Sequence, residues 1–172
     1  VLATSCALAP TVRTIRLEQL EAAAELPLRT LKRGLIRDPS ALEPMLRPLG
    51  RRLALLEVRT PAEWEVLSHA VPDLGPCPNL AHGAVIGLVA RMGRPLDGQW
   101  PASMERIRVC QGAALLTVRF EGGSFLPDGT SYVELAQVEG LEAVLVVDVG
   151  ATRFFTGQAA HAPRHEPGAS SE

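Results

Sequence analysis

The sequence predicts an α+β fold: a mainly antiparallel β-sheet of about five strands, with a short capped helix over residues 60–70 and N-terminal helical segments packed on one face. Three observations carry this expectation. From Met104 onward, strand-like segments recur with short, turn-rich links between them. Residues 60–67 hold a complete set of helix-start signals. Residues 17–26 are rich in strong helix formers. With 172 residues, 47% of them hydrophobic, the chain suits one domain, assigned to residues 11–155, that can bury a core.

Taken in order, residues 17–26 read Leu-Glu-Gln-Leu-Glu-Ala-Ala-Ala-Glu-Leu and predict a helix that Pro27 stops. Asp38 and Pro39 form an N-cap and first-position pair, so a short helix is expected there, limited by Pro44 and Pro48. Residues 53–59 are the first convincing strand. It leads into Thr60-Pro61-Ala62-Glu63-Trp64, where the Thr60 hydroxyl can accept from the amide of Glu63 and the Glu63 carboxylate can reach back to the amide of Thr60. Trp64 and Leu67 share one face of this helix, which assigns Trp64 to the core. Residues 72–78 contain Pro72, Pro76 and Pro78 and form a rigid loop. Residues 84–90 are apolar at both parities, the pattern of a central strand covered on two faces. Strands follow at 104–110, 113–120, 131–138, 142–149 and 152–155, turned by Gln111-Gly112, Glu139-Gly140 and Gly150. Leu126-Pro127-Asp128-Gly129 is a further turn, and links this short imply antiparallel pairing.

Charge narrows the partners. Lys+Arg 17 against Asp+Glu 19 leaves a net −2, so no global basic field draws nucleic acid, and seven aromatics without basic interleaving give no base-stacking platform. Sixteen of the cations are Arg and only Lys32 is lysine. Abundant Ala, Gly and Pro point to a GC-rich coding sequence as the cause, with an arginine-built recognition surface as the alternative. Residues 1–10 are apolar and small, like the tail of a secretory signal. Two processing readings stay open: a small-x-small site at Ala7-Leu8-Ala9, and a lipobox-like Ala3-Thr4-Ser5-Cys6 in which Cys6 carries the lipid. An ordinary cytosolic N-terminus is the third. No later apolar run approaches the ~20 residues of a spanning helix, so a lipid anchor without a membrane span is expected. Residues 156–172 hold Pro163 and Pro167 and no apolar period, and are expected to be disordered, with His161 and His165 solvated.

Neither a cofactor nor a metal set is expected, and no catalytic residue is assigned. The chain contains no Walker loop, Rossmann glycine fingerprint, Cys-x-x-Cys or His-Glu-x-x-His. Cys77 with His69 or His82 offers a nucleophile and base, which sets a small Cys-dependent hydrolase as an alternative function. A cytosolic structural protein is another. If Cys6 is lipidated, Cys77 and Cys110 remain as an even pair. A disulfide between them would close a loop of about 33 residues, worth ~2–4 kcal/mol, while two unpaired, partly buried thiols is the other reading.

One ordered pattern remains: a strand, then Arg59-Thr60-Pro61-Ala62-Glu63-Trp64, a Pro-rich loop, the apolar strand at 84–90, then Gly93-Arg94-Pro95 with Gly98 and Trp100, and the paired strands around Ile107 and Leu115. Over about residues 53–149 this resembles the PrcB-like family of exported bacterial proteins, named for a subunit of a surface protease complex. In that family a Gly-x-x-Pro-Thr-Gly-Gly-Tyr-type loop follows the strand. Gly93, Pro95, Gly98 and Trp100 match its glycine, proline, second glycine and aromatic, while Leu96, Asp97 and Gln99 depart from it. The resemblance implies a non-enzymatic accessory module in the periplasm or cell envelope that binds a protein partner, a protease being one candidate. The contact surface is expected on the loops at 93–100 and 121–130, with Phe125 and Leu126 beside Gly122 and Gly123. The competing reading folds Phe125 and Leu126 back onto the core.

Overall fold

A computed structural model describes residues 15–91, 93–95, 100, 102–120, 125–126 and 129–156. In chain order the elements are α1 (Leu17–Glu21), β1 (Glu25–Leu26), β2 (Arg29–Ile36), a 3-10 helix (Pro39–Met45), β3 (Leu46–Leu49), β4 (Leu53–Val58), α2 (Pro61–Ala70), β5 (Gly83–Arg91), β6 (Arg94–Pro95), β7 (Ala102–Cys110), β8 (Ala113–Phe120), β9 (Phe125–Leu126), β10 (Ser131–Glu139), β11 (Ala143–Val149) and β12 (Thr152–Phe155). The protein is thus mostly β, with few helices.

The strands form two five-stranded sheets, where the sequence suggests a single sheet of about five. The first has the order β1-β7-β8-β11-β12 and the second β2-β10-β5-β4-β3, with β6 and β9 as a separate pair. Turn residues disclose where the chain reverses but not which sheet the next strand joins, so the switch is invisible to periodicity alone. Pairing is antiparallel except between β8 and β11. That exception follows from the path. After β8 the chain crosses to the second sheet as β10, then returns as β11 beside β8, and two reversals restore the original direction.

Three apolar clusters set the layers. Between the sheets lies the main core, with Leu55, Ile86, Leu88, Ile107, Leu116 and Val147. On the outer face of the second sheet, Trp64 and Leu67 of α2 pack with Leu42, Val85, Val133 and Leu135. On the outer face of the first sheet, Leu20 of α1 covers Ala113, Leu115 and Val146. Trp64 is 5% exposed, a core residue as its helix face predicts. The cap of α2 forms as read: the Thr60 hydroxyl accepts from the Glu63 amide at 3.2 Å, and Glu63 Oε2 accepts from the Thr60 amide at 3.0 Å.

The N-terminal third departs from expectation. The first helix stops at Glu21, because Glu25 and Leu26 pair with Arg108 and Ile107 of β7 and so take extended backbone. Helix propensity is a weak prior that a sheet edge overrides. The element after Asp38 is a 3-10 helix, with Pro44 inside it. Strands β2 and β3 lie where no strand is expected. The sequence of β2, Arg-Thr-Leu-Lys-Arg-Gly-Leu-Ile, lacks alternation, and Pro48 sits in β3, a place proline tolerates on a sheet edge.

Candidate functional site

The two loops expected to contact a partner meet in space. Strands β6 and β9 pair antiparallel, Arg94 with Leu126 and Pro95 with Phe125. They arise at one end of the sandwich, where β5 finishes, β8 finishes, and β7 and β10 begin. Gly93 turns the chain out of β5 with φ +79°, a left-handed conformation that favours glycine. Its amide donates to the Thr130 carbonyl at 3.0 Å, which ties the root of one loop to the exit of the other. Trp100 closes the first loop. Its ring stands edge-on to Tyr132, centroids 5.3 Å apart at 79°, and packs on the main core. The indole therefore anchors the loop while staying only partly buried. Gly98 lies outside the described residues, as do Cys6, His161 and His165.

Beside this end, an open cleft of about 520 Å³ is lined by Arg33, Ser103, Met104, Glu105, Arg106 and Arg119. Two of these residues, Arg33 and Met104, are bonded to Glu134, which is 2% exposed. One carboxylate oxygen accepts from Arg33 Nε at 2.8 Å and Nη2 at 2.6 Å, and the other accepts from the Met104 amide at 2.7 Å. The last bond crosses between sheets, from β10 to β7. A β-bulge falls there, since the β7–β8 register shifts between Met104 and Arg106. Next to this shift the Met104 amide donates to Glu134. Arg119 pairs with Glu105 at 3.3 Å and Arg106 with Glu25 at 3.5 Å. Sequence reasoning misses this cluster. Its signal is an acid at inward parity: Glu134 shares a face with Tyr132, Ala136 and Val138, all of them core.

A second intersheet clamp lies at the opposite edge. Glu57 of β4 is nearly buried; Arg59 donates to its Oε2, and Arg47 meets Oε1 at 3.2 Å. The same two arginines donate to the other sheet's side, Arg59 to the Leu141 carbonyl at 2.9 Å and Arg47 to that of Thr156 at 3.2 Å.

The thiols are apart from both clusters. Cys77 and Cys110 are free, so of the two readings left open by the sequence the unpaired one holds and the possible disulfide is not formed. The reason is placement: Cys77 follows α2 on the outer side of the second sheet, whereas Cys110 packs with α1 on the outer side of the first. Cys77 donates to the Pro78 carbonyl, and His69 is bonded to the Glu65 carbonyl. Each of these two bonds is to a neighbouring backbone carbonyl, and neither joins Cys77 to His69. The described residues also hold no group of three metal-ligating side chains, and no helix long and apolar enough to cross a membrane.

Two carboxylates are held below their ordinary range. For Glu63 the cause is chiefly the Arg59 amide, joined by that of Thr60; for Asp38 it is the Ser40 hydroxyl. Arg153 is held more firmly protonated by its bonds to Asp148 and then Glu21, a network that ties α1 to the β11–β12 hairpin. No family model, curated protein or solved structure matches the chain.

Proposed function

We propose that the chain is a non-enzymatic binding domain of the bacterial cell envelope, exported or anchored through a lipid on Cys6, that grips a protein partner with the β6–β9 end of its sandwich. The observation that carries this reading is the pairing of Arg94-Pro95 with Phe125-Leu126. Two loops far apart in sequence converge on a scaffold whose sheets are locked together at both edges, an arrangement suited to presenting a fixed contact surface. The resemblance to PrcB-like proteins over residues 53–149 supports a protease subunit as the partner.

The test is site-specific photocrosslinking in the producing cells. A photoreactive residue at position 94 or 126 is expected to give a discrete adduct in the envelope fraction, while one at Glu18, on the far helix α1, gives none. Adducts at position 18 alone, or none at either loop, would defeat the assignment. Recovery of the protein wholly in the cytosol would remove the envelope part.

A further inference from the structure

Helix α1 is held to the first sheet by few contacts. Of its five residues only Leu20 is buried, and a helix that short does not persist once it leaves its support. Leu20 covers Ala113, Leu115 and Val146, with Ile15 and Leu17 half-buried beside it. The cover is partial, since Phe155, paired with Val146 on the same face, is 56% exposed. Among the described residues, the polar ties from α1 to the sheet run to Glu21. Its carboxylate accepts from Arg153 Nη1 at 2.8 Å and its carbonyl from Arg108 Nη1 at 2.6 Å. Each arginine also holds a second carboxylate, Asp148 for Arg153 and Glu25 of β1 for Arg108, so neither guanidinium is stranded when Glu21 departs. Ala22, Ala23 and Ala24 follow, and then β1, where Leu26 packs on the main core.

We infer that α1 is a releasable strap, which lifts from the sheet about Ala22–Ala24 while β1 and both sheets stay closed. Ion pairs open to water are weak and screened by salt, so ionic strength loosens the closed state. Leu26 on the core stops the release from spreading into β1. Lifting has a use on the anchored reading proposed above, and this consequence rests on that reading. With a lipid on Cys6, residues 7–14 span at most about 29 Å between anchor and closed domain. Released, residues 7–22 span at most about 58 Å, so opening the strap doubles the tether on which the β6–β9 end seeks its partner.

Thiol labelling of the full chain tests the opening. Val146→Cys and Val147→Cys, each with Cys6→Ser, Cys77→Ser and Cys110→Ala, put the single thiol under α1 or in the main core. Position 146 is expected to react about a hundredfold faster than 147, at a rate that low urea leaves unchanged. Glu21→Ala is expected to speed position 146 about fivefold and added salt about threefold, with 147 unaffected. Amide exchange at Leu20 and Ala22, which donate to the Arg16 and Glu18 carbonyls, reads the same opening in the unaltered chain. Equal rates at 146 and 147, or exchange at Leu20 and Ala22 as slow as along the β5–β10 ladder, would overturn the strap. For the tether, the Cys77→Ser, Cys110→Ala chain is coupled through Cys6 to vesicles bearing a maleimide lipid. Energy transfer from tryptophan to dansyl lipid is expected to fall by about half with Leu20→Asp, which keeps α1 off the sheet. Unchanged transfer would overturn the lengthening. Absence of lipid on Cys6 in the producing cells would end the anchored reading and leave the strap standing.

Discussion

At the scale of single residues, the acids do the most. Glu134 terminates three hydrogen bonds in a nearly dry setting, two from a half-exposed guanidinium and one from a backbone amide of the other sheet. Glu134→Gln keeps the shape and one acceptor, so it is expected to cost about 1–3 kcal/mol. Urea unfolding of the variant measures this, and a cost under about 0.5 kcal/mol would show that the intersheet bond carries no weight. Glu63 gives a pH signature. Its carboxyl lies below the ordinary range when folded, because the Arg59 and Thr60 amides favour the charged form. Its contribution is therefore complete above the unfolded glutamate value, roughly 4.3, and is lost as pH falls through the lower folded value. The Tm gap between the wild type and Glu63→Gln is expected to stay constant from about pH 7 to 5 and to narrow below about 4. A gap unchanged at pH 3 would contradict the cap's electrostatic role. That cap was legible in the sequence because its donors and acceptors lie within four residues. Glu134 was not, because its partners stand 101 and 30 residues away.

At the scale of elements, what the sequence discloses depends on how fully a strand is covered. The buried strands β5, β8 and β10 announce themselves through unbroken or alternating apolar residues, and their ends fall within a residue or two of expectation. Edge elements do not, since β2 is half uncovered and β1 consists of two residues. The central strand β5 also has two glycines with distinct reasons. A Cβ at Gly83 would lie 2.3 Å from the Val138 carbonyl oxygen, against backbone that cannot retreat. A Cβ at Gly87 would meet a Leu135 methyl at 2.9 Å and Leu56 side-chain atoms at 3.1 Å, which can shift. Gly87→Ala is expected to cost about 1–2 kcal/mol and Gly83→Ala about 3 kcal/mol or more. Thermal melts of the two variants rank them, and the reverse order would mean that the β5–β10 ladder adjusts more easily than its side chains.

For the whole molecule, the question is how two sheets that share no ladder stay in register. Apolar burial between them has no direction, so it resists separation better than sliding. Direction comes from the polar clamps at the two lateral edges, Arg33–Glu134–Met104 at one and Arg47 and Arg59 on Glu57 at the other. They use different strands, share no side chain and lie across the core from each other. If each acts locally, Glu134→Gln and Glu57→Gln lose stability independently, and the double variant is expected to match the sum of the single costs within about 0.5 kcal/mol. If the sheets instead slip as a unit once one clamp is loosened, the second substitution removes a bond already broken. The double variant would then lose less than the sum by about 1 kcal/mol or more. Denaturant titration of the four proteins decides between these, provided that the m-values agree, since a changed slope would signal a different unfolded or native surface. Additivity is the outcome that the separate partners of the clamps require, and it would make each edge adjustable without disturbing the other.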